Sequence, residues 1–247
     1  MFPELGSIGP LTFYSFGLMV ALGFVAAGWF VAQDVRQRGL RAALGLEIMV
    51  AAAVGGLVGA RVYYIVETGD TGGGLSGSGL AWYGGVIGGA LAVVALALWR
   101  GVPVGVVANI AAPGLAIGQC FGRIGCQVAG DGDYGTASSL PWAMSYPDGT
   151  VPTDIRVHPT PIYESLALLV IFFVLWRLRG RLARPWSLFG LYALLAGAMR
   201  FLVEFVRRNP EEVGALTTAQ VFSLVLIVVG AALLAATRRR PPQLAPA

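Results

Sequence analysis

Arginines at the ends of apolar segments are the residues of this sequence best suited to chemistry. Arg123 lies in G-R-I-G at 122–125, and Arg200 lies within another apolar segment. A guanidinium beside hydrocarbon is costly, and such residues usually face the bundle interior or a wet cavity. Guanidinium forks also match the geometry of a phosphate group. We therefore predict a clamp in which Arg61, Arg123 and Arg200 bind an anion, with a phospholipid head group as the most available one.

The segment around Arg200 also allows a purely structural interpretation. Glu204 follows Arg200 by one turn and Arg207 follows Glu204 by three residues, so three charges share one helical stripe. An ion pair between Arg200 and Glu204 inside the bundle is therefore an alternative to the clamp. For Arg207 and Arg208, the position favours snorkelling of the side chains to the membrane interface.

The composition indicates what kind of element must position these arginines. The chain is 56% hydrophobic and 12% charged, whereas soluble domains average about 25% charged residues. Windows of about 20 apolar residues, the length that crosses a bilayer, predict seven spans near 11–33, 43–65, 81–100, 104–126, 160–178, 186–206 and 217–237. The first span lacks a basic leader and a cleavage site, so we expect a retained signal anchor. The predicted fold is an all-α polytopic membrane protein with one integral membrane domain over residues 1–247.

The distribution of arginines predicts the orientation. Eleven of them follow alternate spans: Arg36, Arg38, Arg41, Arg100, Arg177, Arg179, Arg181, Arg184, Arg238, Arg239 and Arg240. The positive-inside rule then puts the N-terminus outside and the C-terminus in the cytoplasm. The Gly/Ser-rich stretch 68–79, the segment 127–159 and the acidic stretch 209–216 would face outward, with 127–159 as an extracytoplasmic cap. The net charge of +4 is thus a topology signal and does not indicate nucleic-acid binding.

The sequence predicts no metal or other cofactor. It contains no zinc-like cluster and no nucleotide-binding loop. Cys120 and Cys126 are six residues apart, which is neither a metal-binding nor a thioredoxin spacing. We predict that both are simply buried small side chains.

Four ordered blocks resemble the bacterial prolipoprotein diacylglyceryl transferase family. They are W-Y-G-G-V-I-G-G at 82–89, G-R-I-G at 122–125 with its acidic turn, H-P-T-P-I-Y-E at 158–164 and R-F-L-V-E-F-V-R at 200–207. The resemblance runs from about Tyr14 to Ser223. It implies a seven-helix protein of the bacterial cytoplasmic (inner) membrane, surrounded by membrane lipids. It also implies transfer of the diacylglyceryl group of phosphatidylglycerol to the lipobox cysteine in a preprolipoprotein signal peptide.

The resemblance also implies roles for individual residues. Arg123 matches the signature arginine and Arg200 the arginine of the penultimate helix, both tied in the family to phosphate binding and catalysis. The other residues expected to bind phosphatidylglycerol are Arg61, Gly84, Gly85, Asp131, Asp133, Tyr163, Glu164, Glu204 and Arg207.

The general base is open between His158 and Tyr83. His158 is the only histidine, but its position also suits a hydrogen bond to the loop at a helix entry. Tyr83 stands where many family members have histidine, and it could equally anchor the interface beside Trp82. A base needs reach as well as a suitable pKa, so the sequence leaves both candidates in place.

The signature departs from the family pattern G-R-x-G-N-F-x-N-x-E. Cys126, Gln127 and Ala129 replace the first Asn, the Phe and the second Asn, and Phe16 replaces a Tyr of the first span. A non-catalytic phospholipid-binding or transporter-like paralogue is therefore the main alternative function.

A second alternative is weaker. The string G-D-G-D at 130–133 resembles intramembrane aspartyl proteases, which need two aspartates that share a proton. Asp34, the only aspartate at another span, is expected at the cytoplasmic end, on the wrong side of the membrane for this pairing.

Overall fold

A computed structural model describes residues 1–9, 11–71, 81–209 and 214–238. Seven helices cover most of these residues: α1 Ser15–Gln37, α2 Ala43–Thr68, α3 Trp82–Trp99, α4 Val104–Ala129, α5 Thr160–Leu178, α6 Ser187–Glu204 and α7 Thr218–Arg238. Parts of the stretches 68–79 and 209–216, together with Arg239 and Arg240, lie outside the described residues.

The helices confirm the predicted all-α polytopic membrane fold. Six of them are long and apolar enough to cross a membrane, and α3, counted from Tyr83 to Trp99, is a shorter apolar helix. Large apolar side chains such as Val66 and Leu46 are exposed on the helix surfaces, as expected for contact with hydrocarbon. The orientation of the termini stays a prediction.

The start of the first span was predicted wrongly. Residues 11–14 are not helical, because strand β2, Leu11–Tyr14, pairs antiparallel with strand β1, Glu4–Ile8. An apolar strand and the first turn of an apolar helix cannot be separated by hydrophobicity alone. The helix α1 therefore begins at Ser15, whose backbone N–H donates to the carbonyl of Pro3 at 3.0 Å.

The described chain forms two compact units. Unit A contains the described residues of Met1–Ala27 and Ala108–Ala247, and unit B contains those of Gly28–Val107. In unit B, α2 and α3 touch backbone to backbone: a Cβ on Gly84 would lie 2.3 Å from the carbonyl oxygen of Gly59. Gly84 therefore has a packing role, whether or not it also contacts lipid.

A buried asparagine in unit A fixes the start of α6. Asn109 has no exposed surface, and its Oδ1 accepts from the backbone N–H groups of Leu188 and Phe189 at 3.0 and 3.1 Å. The first N–H groups of a helix have no partner within the helix. Asn109 thus ties α6 to α4, and both helices carry predicted site residues.

The cap of unit A begins later than predicted, because α4 continues to Ala129; here "cap" means residues 130–159. It contains an antiparallel pair of strands, β3 Met144–Tyr146 and β4 Thr153–Val157. The rings of Tyr134 and Tyr146 stack with their centroids 4.9 Å apart and form a small buried core with Val157. The cap is therefore a folded platform above the helix ends.

Candidate active site

Three arginines and three carboxylates of unit A form one ion-pair cluster. Its members are Arg123 on α4, Asp133 in the cap, Glu164 on α5, Arg200 and Glu204 on α6, and Arg207 just after α6. Three helix ends and the cap thus meet at one group of opposite charges. We call this set the arginine cluster.

Glu164 lies at the centre of the arginine cluster. Its side chain is 1% exposed, and its Oε2 lies 2.6 Å from Nε of Arg123. Its Oε1 accepts from Nη1 of Arg207 at 3.1 Å and lies 3.7 Å from Nη1 of Arg200. A buried carboxylate is stable only when it is paired. The three guanidinium groups supply that pairing, and their contacts with Glu164 hold them in place.

Asp133 joins two of the same arginines from the cap side. Its Oδ1 accepts from Nη2 of Arg207 at 2.6 Å, and its Oδ2 accepts from Nη1 of Arg123. The hydroxyl of Thr160 donates to the Asp133 carbonyl at 2.5 Å, which holds this part of the cap against the start of α5.

Arg200 forms an ion pair with Glu204, which is the contact that the structural interpretation of this segment predicted. Nη1 of Arg200 lies 2.6 Å from Oε2 of Glu204, although neither buried atom makes a hydrogen bond of normal geometry with any described residue. The other oxygen of Glu204 accepts from Asn209 Nδ2 at 2.6 Å and from the Thr217 hydroxyl at 2.8 Å. Glu204 is therefore a fixed, fully buried partner that orients Arg200.

The pairing leaves guanidinium donors available for an anion. Among the described residues, none accepts a hydrogen bond from Nη2 of Arg123, and none accepts one from Nε or Nη2 of Arg200. The side chains of these two arginines are 27% and 23% exposed, whereas Arg207 is 9% exposed. Arg123 and Arg200 can thus each satisfy a buried carboxylate and still donate to a ligand.

The snorkelling prediction was wrong for Arg207. Its long side chain is buried because two carboxylates, on Glu164 and Asp133, accept its hydrogen bonds inside unit A. Arg208 is exposed, and its guanidinium lies 5.3 Å from the centroid of the Tyr134 ring. Sequence position alone could not separate these neighbours, because their difference depends on partners from distant segments.

The charges around Asp133 set its ionisation. Burial raises the pKa of the Asp133 carboxyl. The positive charges of Arg123 and Arg207 lower it by more than burial raises it, so the pKa lies below its usual range. A lowered pKa in the folded state means that ionised Asp133 stabilises the fold above its unfolded pKa of about 3.9. That contribution is lost as the pH falls through the folded pKa.

We therefore expect Asp133→Asn to lower the melting temperature at pH 7, with a deficit that shrinks below about pH 3.9. The measurement is thermal unfolding in detergent of both proteins from pH 7 to strongly acidic pH. Asp154→Asn is the control, because Asp154 is an exposed cap carboxylate with no ion pair to any described residue. A deficit that keeps its full size in acid would contradict this role for Asp133.

His158 lies in a separate hydrogen-bonded group of unit A. Its Nδ1 is 3.3 Å from the hydroxyl of Tyr163, which also accepts from Nε1 of Trp142 at 2.8 Å. These three side chains line an open groove of about 440 Å³ together with Leu140, Leu202, Val203 and Val206. The hydrogen bond expected from the imidazole to the loop stays a prediction, because the contact of His158 with Gly135 N–H, at 2.8 Å, is made by its backbone carbonyl.

The remaining candidates have less defined roles. Arg61, Tyr83, Gly84 and Gly85 lie in unit B, where Nη2 of Arg61 donates to the Thr71 carbonyl at 2.7 Å. Their part in binding phosphatidylglycerol stays a prediction, as does that of Tyr163. The role predicted for Asp131 is also untested; its Oδ1 accepts from the backbone N–H of Asp133 at 3.3 Å.

One group of potential metal ligands occurs in the described part of the chain. Single ligand atoms of Cys126, Asp131 and Asp133 lie within 4.8 Å of one another. Asp133 is already paired with two arginines, and their positive charge opposes a cation there. The absence of a metal stays a prediction.

Three residues that depart from the family signature, Cys126, Gln127 and Ala129, lie in the last turn of α4. Gln127 accepts from the Tyr146 hydroxyl at 3.0 Å, so it links α4 to the cap. Cys126 and Ala129 are buried, and both cysteines are free and buried as predicted.

Several residues of the site were not predicted from the sequence. Thr160, Asn209 and Thr217 hydrogen-bond the acidic members of the cluster, and Gly135 permits a close approach to the end of α6. A Cβ on Gly135 would lie 2.2 Å from the Val206 carbonyl oxygen. Thr160 stands inside H-P-T-P-I-Y-E and could have been found there. The others carry no local signal, because their partners come from distant segments.

The fold and the arginine cluster define a polytopic membrane protein with three arginines and three carboxylates grouped beside a folded cap. The model of the prolipoprotein diacylglyceryl transferase family matches residues 3–236, and the chain belongs to this family.

Individual relatives are similar over nearly their whole length. A phosphatidylglycerol–prolipoprotein diacylglyceryl transferase of Clostridium tetani is 33% identical over 239 residues, which cover 93% of this chain and 95% of the relative. A protein of the same name from Methylococcus capsulatus is 34% identical over 259 residues, with 96% of each chain covered. The family resemblance read from the four sequence blocks is thereby confirmed.

Proposed function

We propose that this protein transfers the diacylglyceryl group of phosphatidylglycerol to the lipobox cysteine of a prolipoprotein. The cysteine sulfur forms a bond to C3 of the glyceryl group, and the bond between C3 and the phosphate oxygen breaks. The phosphate leaves with the electron pair as glycerol phosphate, and the thiol proton passes to a base. The product is a thioether, and no oxidant or cofactor takes part.

The arginine cluster is the observation that supports this proposal. The phosphate diester carries one negative charge, and the glycerol phosphate that leaves carries up to two. Hydrogen-bond donors whose interaction with the phosphate becomes stronger as negative charge develops on it lower the activation barrier of the transfer. Arg123 and Arg200 each retain unpaired donors among the described residues, so we assign them to the phosphate.

The carboxylates of the cluster are positioning residues in this proposal. Glu164 and Glu204 are buried, and they fix the directions of the guanidinium groups before the lipid binds. Such preorganisation avoids rearrangement during the reaction. Arg207, whose nitrogens all face carboxylates of the cluster, serves to hold Asp133 and Glu164 rather than the lipid.

The base remains a choice between His158 and Tyr83. A nearby cationic site favours the thiolate form of a substrate cysteine, so a weaker base suffices to remove the thiol proton. The groove beside His158 is apolar apart from His158, Tyr163 and Trp142, so it offers contact to the apolar signal peptide next to its cysteine.

The proposed setting is the bacterial cytoplasmic membrane, which the protein would span several times. The donor lipid would enter from the surrounding bilayer, and the signal peptide would bind with its cysteine near the cap.

Reconstitution with defined substrates tests the proposal. We expect the purified protein to attach a diacylglyceryl group to a lipobox peptide and to release an equal amount of glycerol phosphate when phosphatidylglycerol is supplied. Mass spectrometry of the peptide and an assay of glycerol phosphate measure the two products. A peptide with serine in place of cysteine is the control. Binding of phosphatidylglycerol without either product would instead support a non-catalytic lipid-binding paralogue.

A further inference from the structure

A second arrangement of arginines and a carboxylate lies in unit B, on residues that have no role in the proposed transfer. Glu47, in the second turn of α2, accepts from Nε and Nη2 of Arg100 at 2.9 and 2.8 Å. It also accepts from Nη2 of Arg41 at 2.8 and 3.0 Å. Two guanidinium groups thus share a single carboxylate, which leaves one net positive charge.

Donors of both arginines remain available. Nη1 of Arg100 and both Nε and Nη1 of Arg41 make no hydrogen bond within the described ranges of the chain. The side chain of Arg41 is 58% exposed and that of Arg100 is 29% exposed. Glu47 therefore fixes the two side chains while leaving the unused donors open to an anion.

These arginines border a cavity with apolar walls. The cavity measures about 390 Å³ and is lined by Leu40, Arg41, Leu44, Trp99, Arg100 and Val102. The guanidinium carbon of Arg100 lies 4.1 Å from the centroid of the Trp99 ring, a cation–π contact that also holds Arg100 in place. The cavity thus combines positive charge with aliphatic and aromatic surface.

The place of the cavity in unit B favours a lipid over a free anion. Leu40 and Arg41 follow α1, Leu44 lies in the first turn of α2, and Trp99 ends α3, so the cavity lies where apolar helices meet water. A soluble phosphate would use the arginines but would gain nothing from the leucines and Val102. Basic pockets between membrane helices commonly bind acidic lipid head groups.

We propose that this cavity binds the head group of an anionic phospholipid, with the phosphate on Arg41 and Arg100. The first acyl carbons would pack on Leu40, Leu44 and Val102. By the arginine pattern, this end of the helices is predicted to be cytoplasmic, so the lipid would belong to the cytoplasmic leaflet. The lipid would be a bound structural ligand and would not be consumed.

The test uses the full-length protein with phosphatidylserine, an anionic lipid that lacks the glycerol head group of the proposed donor. We expect phosphatidylserine to raise the melting temperature more than phosphatidylcholine does. In Arg41→Gln/Arg100→Gln this extra increment should fall by about twofold or more, because the site's contribution to linked stabilisation is removed. Native mass spectrometry should show one fewer retained phosphatidylserine molecule.

A matched control removes two other arginines of the same predicted side. Arg36 and Arg177 are exposed and make no ion pair with any residue that the structure describes, so Arg36→Gln/Arg177→Gln should keep the increment. An unchanged increment in Arg41→Gln/Arg100→Gln, or an equal loss in the control, would overturn the proposal. An equal increment from inorganic phosphate would show a site for free anions and overturn the assignment to lipid.

Transfer activity separates this site from the arginine cluster. Arg41→Gln/Arg100→Gln should form lipidated peptide at the wild-type rate, and loss of transfer would contradict a separate structural site. The rise in melting temperature with phosphatidylserine is measured without a lipobox peptide and so without turnover. It therefore tests the lipid site even if the protein does not catalyse the proposed transfer.

Discussion

Arg123→Ala should abolish diacylglyceryl transfer while the protein still folds and inserts. Removing one charge-stabilising donor of this kind typically costs about 10²–10³ in rate. Arg123 also orders Glu164 and Asp133, so the loss should lie at or above that range. The rate of glycerol phosphate release and of peptide lipidation measures the effect.

Folding of this variant is controlled in two ways. Both carboxylates keep Arg207 as a partner, so we expect a lower melting temperature but a folded protein. Arg123→Lys retains a charge for Glu164 and should recover most of the melting temperature without recovering the rate. Arg208→Ala, at an exposed arginine outside the cluster, should keep transfer. Wild-type turnover in Arg123→Ala would show that Arg123 is only structural.

Arg200→Lys should also reduce transfer strongly, by about 10², although the substitution keeps the charge. Lysine can still pair with Glu204, because a single ammonium suffices for that contact. It cannot pair with Glu204 and also present the two donors that Arg200 leaves free, Nε and Nη2. The same transfer assay, together with detergent melting, measures both roles of Arg200 at once.

The two interpretations of Arg200 differ in the expected pattern. A phosphate clamp predicts lost transfer with a nearly unchanged melting temperature. A purely structural pair predicts that lysine is tolerated and that Glu204→Gln lowers stability. Arg208→Lys is the matched control and should behave as wild type. Near-normal glycerol phosphate release from Arg200→Lys would remove the bidentate clamp and the main physical argument for the assigned phosphate site.

The arginine cluster also explains why local sequence patterns identified some of its residues as site residues and missed the contacts of others. Arg123 and Arg200 stood out because a charge within an apolar span is costly wherever it lies. Arg207 follows an apolar segment, where snorkelling is the ordinary outcome, and nothing near it in the chain indicates Glu164 or Asp133 as partners. The family resemblance did point to Arg207 and Glu164, but it did not show which side chains they contact.

The sequence by itself determined the class of protein, the seven helices and the family. Long apolar runs can satisfy their backbone in a membrane only as helices, so composition and length suffice for that part. Tertiary structure decided what local periodicity does not encode. Residues 11–14 became a strand because of pairing with residues 4–8. Glu164 became the centre of the site because α4, α5 and α6 bring three arginines within reach of one buried carboxylate, and these arginines compensate its charge.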